Sequence, residues 1–416
     1  MRINGIVLIL QPYILAVLNQ TSPIYHRQDI LLQPQAPSSS QTSSLPPSVR
    51  VAVFNISMSD PQPGKIHQRL KQKDEPRFTK LAAIIQHVRP DVLLLCEFDH
   101  PGEGGDDGAL ALFCAEYLEV PQHGQTPITY PYRYAPPTNT GLAMNVDIDG
   151  DGEITLPNDA QGFGEHHGHF GFVLLSRYPI NTREIRSWQQ FLWQDLPDHL
   201  MPKGYYPEAS QATLRLSSKN HLDIPVEIHG QALHLLCCHP TPPVFDGEEK
   251  RNARRNHDEL VLMRAIIENS DFLRDDQGNA GGLSVGSDFV VMGDLNADMM
   301  DGDGMKSAIR QLLLHPKVHR SVASGRMTPK SLGGRFYRPW QPREGRASEW
   351  THLSGLRLDY VLPSASLDVL QSGVFWPDKK DPLWALITDE TGRDRPQAGS
   401  DHRLVWVDIA LKRREI

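Results

Sequence analysis

The chain of 416 residues carries no excess of positive charge: 42 Lys and Arg stand against 50 Asp and Glu, a formal net charge of −8. A protein that grips duplex nucleic acid through many phosphate contacts presents a broad basic face, and the overall balance advertises none. Cysteine is scarce: Cys96, Cys114, Cys237 and Cys238 account for all 4. No C-x-x-C or Cys/His spacing occurs, so a zinc knuckle is excluded. The adjacent Cys237 and Cys238 sit in an apolar run, where a strand would turn one thiol to each face; buried free thiols are the first reading and a Cys96–Cys237 disulfide the second. No uninterrupted apolar run reaches the length of a spanning helix. No repeat of fixed period is present. The chain is long enough to fold without a metal or disulfide staple, so a metal site found in it reads as functional.

What the sequence does contain begins at the amino terminus. Met1-Arg2 precede an apolar stretch from Ile6 to Leu18, broken by Gln11-Pro12, and polar Asn19-Gln20-Thr21-Ser22 follow. This resembles a secretory leader without an A-x-A cleavage pattern, so residues 1–22 are expected to be a signal peptide directing export to the periplasm or beyond, with an uncleaved membrane-targeting segment as the alternative. Residues 23–48 read as a linker, Pro-, Ser- and Gln-rich from Gln33 to Pro47, and residues 49–412 as one folded domain.

Within that domain strands and helices alternate. Strand patterns cover Val51–Asn55, Asp91–Glu97, Phe170–Ser176, Ala212–Leu216, Ala232–Cys238, Asp288–Met292, Arg357–Leu362 and Leu404–Ile409. Helical spacing covers Pro76–Val88, with Asp74 as a candidate cap and Pro90 as a stop. Further helices are expected over Glu248–Glu268, Gly304–Leu314 and part of Pro382–Thr388. Long glycine-rich, acidic loops occupy 100–108 and 137–168. Mixed strands with covering helices favour a layered α/β or α+β domain, and the pattern alone does not separate two facing sheets from one open sheet.

Chemistry-bearing residues recur at the ends of apolar strands: Asn55, Glu97, His239 and Gly293-Asp294-Leu295-Asn296. Asp359 lies inside its strand, and Ser400-Asp401-His402 precedes the last one. A buried strand is a rigid frame that holds a ligand in place. Oxygen donors of this kind suit Mg²⁺, Mn²⁺ or Ca²⁺ better than zinc or copper. Any one such residue is ordinarily a turn or cap; the ordered set is what carries weight.

Phe54-Asn55, Leu95-Cys96-Glu97, Leu174–Ile180, His239, Gly293–Asn296, Leu358–Val361 and Ser400–His402 together resemble the endonuclease/exonuclease/phosphatase superfamily, the DNase I-like fold. The resemblance runs from about Val49 to Ala410. His239–Gly247 and Asn296–Asp303 resemble a bacterial, exported branch of it. One departure is Cys96, where the family often has Gln before the metal-binding Glu. The resemblance implies a four-layered αββα sandwich of two facing mixed sheets. It further implies Glu97 as principal metal ligand with Asn55 and Asp401 near the same ion. Asp294 and Asn296 would orient the attacking water and a phosphate oxygen. His402 paired with Asp359 would form an acid/base dyad, and His239 would donate to a non-bridging oxygen.

Two stretches allow alternatives. Asp147-x-Asp149-x-Asp151-Gly152 matches the first half of a calcium loop, but Asn158 stands where the twelfth-position Glu belongs, so a structural Ca²⁺ and a plain acidic turn both stand. The glycine loop carrying His166, His167 and His169 either reaches the site or faces solvent. Arg254 and Arg255 are candidate phosphate-holding groups, against a charged helix face paired with Glu248 and Glu259.

The expected function is a metal-dependent hydrolase of phosphate esters, first an exported phosphodiesterase or endonuclease. Second comes a phosphatase or phosphodiesterase of a small molecule or lipid headgroup, such as an inositol phosphate or sphingomyelin. A non-catalytic binding module on the same fold is the alternative of another class. No obligate protein partner is evident, and a monomer is expected.

Overall fold

The computed structural model describes residues 48–411. The leader segment, and all of the linker but Ser48, lie outside the described residues. Eleven strands form two sheets among them. They are β1 (Ser48–Met58), β2 (Val92–Phe98), β3 (Tyr132–Tyr134), β4 (Phe172–Ser176), β5 (Arg186–Ser187), β6 (His221–Ile228), β7 (Gln231–Cys238), β8 (Phe289–Asp294), β9 (Asp359–Pro363), β10 (Asp368–Val374) and β11 (Val405–Ala410). The first sheet has the order β10-β11-β1-β2-β4-β3 and the second β5-β6-β7-β8-β9. Each is mixed, with one parallel pair: β1 with β2, and β7 with β8.

Strand alternation explains the layering. On β8, Val290 and Met292 join the core between the sheets, whereas Phe289 and Val291 join a second core beneath the helices Arg251–Glu268 and Lys306–Leu313. On β9, Val361 goes inward while Tyr360 and Leu362 go outward. A period of two then places Asp294 and Asp359 on the inter-sheet side, at the ends of their inward rows. Truncating an inward residue such as Met292 to Ala would cost about 2–5 kcal/mol. The helix Pro76–Val88 covers the other sheet with Phe78, Leu81, Ile85 and Val88 at helical spacing. The layers run helix, sheet, sheet, helix, as the resemblance implied.

Several expectations need correction. The helix Pro76–Val88 starts from Glu75 with no side-chain cap, not from Asp74; Pro76 at its first position needs no amide partner. Ala212–Leu216 is not a strand; only an isolated bridge from Arg215 to Leu192 remains there. The strand lies further on, at β6. Pro225 disguised it, since proline cannot donate to a ladder, yet beyond Asp223 the strand has no continuous neighbour on that side. All four cysteines are free and buried, so Cys96 and Cys237 form no disulfide.

Candidate active site

Asn55 lies inside β1, where the β1–β2 register shifts between Asn55 and Met58. This bulge leaves Ser57 at φ 48° and Glu97 at φ 55°. Positive φ is unusual for non-glycine residues, and bulges beside sites commonly re-aim a side chain. Here the turn brings Glu97 next to Asn55, a residue of the neighbouring strand. Arg77, from the covering helix, clamps the bulge: its Nη2 donates to the carbonyls of Ile56 and Ser57 at 2.6 and 2.7 Å, and its Nε donates to Gly399 O at 2.7 Å. One guanidinium thus ties β1 to the Ser400-Asp401-His402 loop. Ser400 Oγ reinforces that tie by donating to Asn55 O at 2.7 Å.

From this frame the side chains form a continuous line. Asn55 Nδ2 donates to Glu97 Oε1 and to Asp294 Oδ2, each at 3.0 Å. Asp294 Oδ2 lies 3.5 Å from His239 Nε2 and 3.6 Å from His402 Nε2. His402 Nδ1 stands 2.9 Å from Asp359 Oδ2, and the Thr351 hydroxyl donates to that same oxygen at 2.6 Å. Asn296, at φ 50°, donates its backbone N–H to Asp294 Oδ1 at 3.0 Å and its amide to Pro240 O at 3.1 Å. Of the eight candidate residues, seven fall along this line. Asp401 falls in a second cluster, with His352 Nε2 3.2 Å away and the His352 and His402 rings 4.5 Å apart.

Burial decides the electrostatics. It raises the Asp294 carboxyl, opposed by His402 and reinforced by Asp359. Burial disfavours charge on His402, but Asp359, Asp294 and Asp401 outweigh it and hold that imidazole well above its ordinary pKa. His239 is the reverse case: burial, Lys219 and His402 all depress it, so the ring is neutral. The neighbouring pair His402 and Asp294 can therefore share protons near neutral pH, one as imidazolium and one as a carboxylate that accepts.

The ligand atoms of Glu97, His239 and Asp294 lie within 4.8 Å of one another, as do those of Asp294, Asp359 and His402. The first set fits a hard divalent cation: two carboxylates converge there, and the amide now bridging them can be displaced by an ion of opposite charge. Asn55 Oδ1 accepts from Ser57 N at 3.1 Å, so this residue orders the carboxylates through its amide nitrogen.

The other candidates distribute differently. In the acidic loop the converging set is Asp147, Asp149 and Asp159. Asp151 lies outside it, its carboxylate accepting from Glu153 N at 2.8 Å. Asp147 accepts from the N–H groups of Gly150 and Gly152 at 2.6 and 2.9 Å. Arg255 is buried, with Nε on Leu216 O at 3.0 Å and Nη2 on Arg215 O at 2.8 Å, and Arg254 Nε binds Glu249 O at 2.9 Å. Both guanidiniums make backbone carbonyl bonds, and Arg255, though not Arg254, is among the residues lining the site cavity. Glu259 accepts from Ser218 and Thr241, and its charge supports Arg255 one turn earlier on the same helix. From the histidine loop, Phe163 lines the site cavity, while His166 binds Asp60 O at 3.1 Å and His167 binds Thr138 O at 2.9 Å.

These groups open into a cavity of about 590 Å³. Glu97, His239, Asp294, Asn296 and His402 line it together with Ile148, Phe163, Tyr205, Tyr206 and Phe245, and with the cationic Lys219, Arg251 and Arg255. Sequence reasoning missed Arg77, Lys219, Thr241, Thr351 and His352. The one available signal was the Thr351-His352 pair just upstream of the Asp359 strand; nothing in the local pattern marked Arg77.

The structure is similar in fold to endonuclease/exonuclease/phosphatase proteins from Beutenbergia cavernae DSM 12333 and Leptotrichia buccalis C-1013-b. The first is 17% identical, with 88% of this chain and 72% of that chain covered at a TM-score of 0.46. The second is 15% identical, with 87% and 100% covered at 0.44. The human Nocturnin catalytic domain, with bound sulfate anion, is 14% identical, with 88% and 96% covered at 0.42. Among curated proteins no match was found. The family model described as Endonuclease/Exonuclease/phosphatase family matches residues 52–402, nearly the whole described span, and to that family this chain belongs.

Proposed function

We propose that the chain is a divalent-metal-dependent phosphoesterase that cleaves its ester by in-line attack of water. One observation carries this reading: Glu97, Asn55, Asp294, His402 and Asp359, drawn from both sheets and the last loop, form a single line of polar contacts, and Glu97, Asp294 and His402 of that line face one cavity. Glu97 and Asp294 would hold the cation, which when bound supplies charge neutralisation on the phosphate oxygens and fixes the phosphorus. His402, held as imidazolium by Asp359, places positive charge where the transition state accumulates negative charge, and it is positioned to return a proton to the leaving oxygen. Asp294, beside His402 and Asn296, would orient the attacking water and take its proton. Asn296 and neutral His239 orient the phosphate around it.

The cavity's volume and apolar walls favour an ester of small-molecule size, such as a nucleotide or lipid headgroup, over a duplex; sites of ~300–1,000 Å³ are typical for small ligands. We further propose that the protein is exported by residues 1–22. The reaction is tested by assaying the full chain with Mg²⁺, Mn²⁺ or Ca²⁺ against DNA, RNA, bis(p-nitrophenyl) phosphate, p-nitrophenyl phosphate, phytate and sphingomyelin. Metal-dependent release from any of them is expected. Inactivity on all, with every ion, contradicts the reading and favours a binding module. Export is tested by fractionating cells that express the full chain.

A further inference from the structure

We propose that Lys219 is a catalytic residue of this centre, its ammonium seating a non-bridging oxygen of the substrate phosphate beside the Thr241 hydroxyl. This rests on the phosphoesterase reading and adds to it a cationic contact supplied by the chain itself.

Lys219 stands two residues ahead of β6, in Ser217-Ser218-Lys219, and is only 6% exposed. Its backbone is fixed on both sides. Lys219 O accepts from Asn139 N at 3.0 Å. The preceding residue, Ser218, donates its N–H and its hydroxyl to Glu259 Oε1 at 2.7 and 2.9 Å. The other oxygen of Glu259 accepts from Thr241 N at 2.6 Å. One buried carboxylate thus sets the backbone beside Lys219 and that of Thr241 together, three donors converging on it.

The lysine ammonium makes no hydrogen bond and no ion pair among the described residues, although the charges of Glu259, Glu97 and Asp294 favour its protonated form. An ammonium carries three N–H donors, and Lys219 lines the cavity with none of them paired to a described residue. Thr241 adds a second unpaired donor, its Oγ1 being buried without a partner. Both residues line the same cavity as Glu97, His239, Asp294, Asn296 and His402. Two unsatisfied donors, preset by one carboxylate and facing the place where the phosphate must sit, are completed by an anionic oxygen. The ordinary alternative is a structural ion pair with Glu259. Three donors already occupy Glu259, and no such pair forms.

The test uses the full chain and the variants Lys219→Met, Lys219→Arg and Thr241→Val. Steady-state kcat and KM are measured on bis(p-nitrophenyl) phosphate and p-nitrophenyl phosphate, and binding of inorganic phosphate is measured by calorimetry. A hydrogen bond to a charged group predicts that Lys219→Met lowers kcat/KM and phosphate affinity by about tenfold to a hundredfold each. Lys219→Arg should recover part of both losses, and Thr241→Val should show a smaller fall in the same direction. Unchanged kcat/KM and phosphate affinity in a folded Lys219→Met overturns the proposal. So does a lowered kcat with intact phosphate affinity, which marks a structural role. If Lys219→Met does not fold, Thr241→Val decides, and unchanged phosphate affinity there overturns it. A wild type that hydrolyses no ester yet binds phosphate through Lys219 would uphold the seat while the phosphoesterase reading fell.

Discussion

Asp294 and Asp359 stand directly opposite one another on antiparallel neighbours β8 and β9. Like charges so placed destabilise a sheet, and both residues are buried. The arrangement holds because His402 lies between them, Nδ1 2.9 Å from Asp359 and Nε2 3.6 Å from Asp294. His402 therefore completes a charge balance that the strands alone could not sustain. Asp359→Asn should lower kcat and shift the pH profile, because the imidazole loses the largest support for its charge. His402→Ala should lower kcat by ~10²–10⁴ with a much smaller change in KM. Steady-state kinetics on the folded variants check both.

Glu97 meets Asp294 through the Asn55 amide, and in the function proposed above both carboxylates hold the cation. Glu97→Gln should abolish saturable Mn²⁺ binding in calorimetry and leave the thermal midpoint of the metal-free protein nearly unchanged, since Glu97 is partly exposed. Chelator should silence the wild-type enzyme, and added metal should restore it. Mn²⁺ binding by Glu97→Gln at wild-type affinity would count against this ligand.

Arg77 stands behind the site rather than in the cavity wall, yet three carbonyls depend on it. Arg77→Met should leave those acceptors short, at about 1–3 kcal/mol per buried unsatisfied group. It should lower kcat as the bulge and the Asp401-His402 loop lose their register. Arg77→Lys should restore little, because an ammonium does not present the same planar fork. Chemical denaturation and kinetics together report this.

His221 gives a pH prediction outside the centre. Its ring contacts Ser217 Oγ at 2.6 Å and Glu259 O at 2.9 Å, and burial pushes its pKa down to about 4. The unfolded chain takes up this proton near pH 6.5, before the folded one does. Stability is then full above about pH 6.5 and is lost as pH falls toward 4, by on the order of 3 kcal/mol for this group. Urea unfolding of His221→Gln should show a flatter fall over that window than the wild type.

The legible parts of the molecule were those written in local pattern. Val92–Cys96 and Phe289–Met292 are unbroken apolar runs, so their strands and terminal acids could be read directly. His402 with Asp359 followed from the family motif, and the structure joins them at 2.9 Å. What was not legible depends on pairing at long range. Lys219 and Arg77 acquire meaning only when β6 and the covering helix pack against a site whose other members lie far along the chain. The surroundings of Arg255 were hidden for the same reason: the carbonyls of Leu216 and Arg215 reach it from residues far along the chain. The strand at β6 was hidden by Pro225, and only its position beyond the paired part of β5 makes that proline tolerable.

The thiols offer a simple check on the core. Cys96, Cys114, Cys237 and Cys238 are buried, and burial raises each thiol's pKa. A thiol-reactive dye should label none of them in the native protein and all 4 after unfolding without reductant.

Turnover of wild type, Glu97→Gln, His402→Ala and the double variant, on whichever ester the panel finds active, tests the single-centre account most directly. Groups acting as one unit are strongly non-additive, so the double variant should be about as slow as the slower single one. A double variant slowed by the full product of the two separate losses would contradict it.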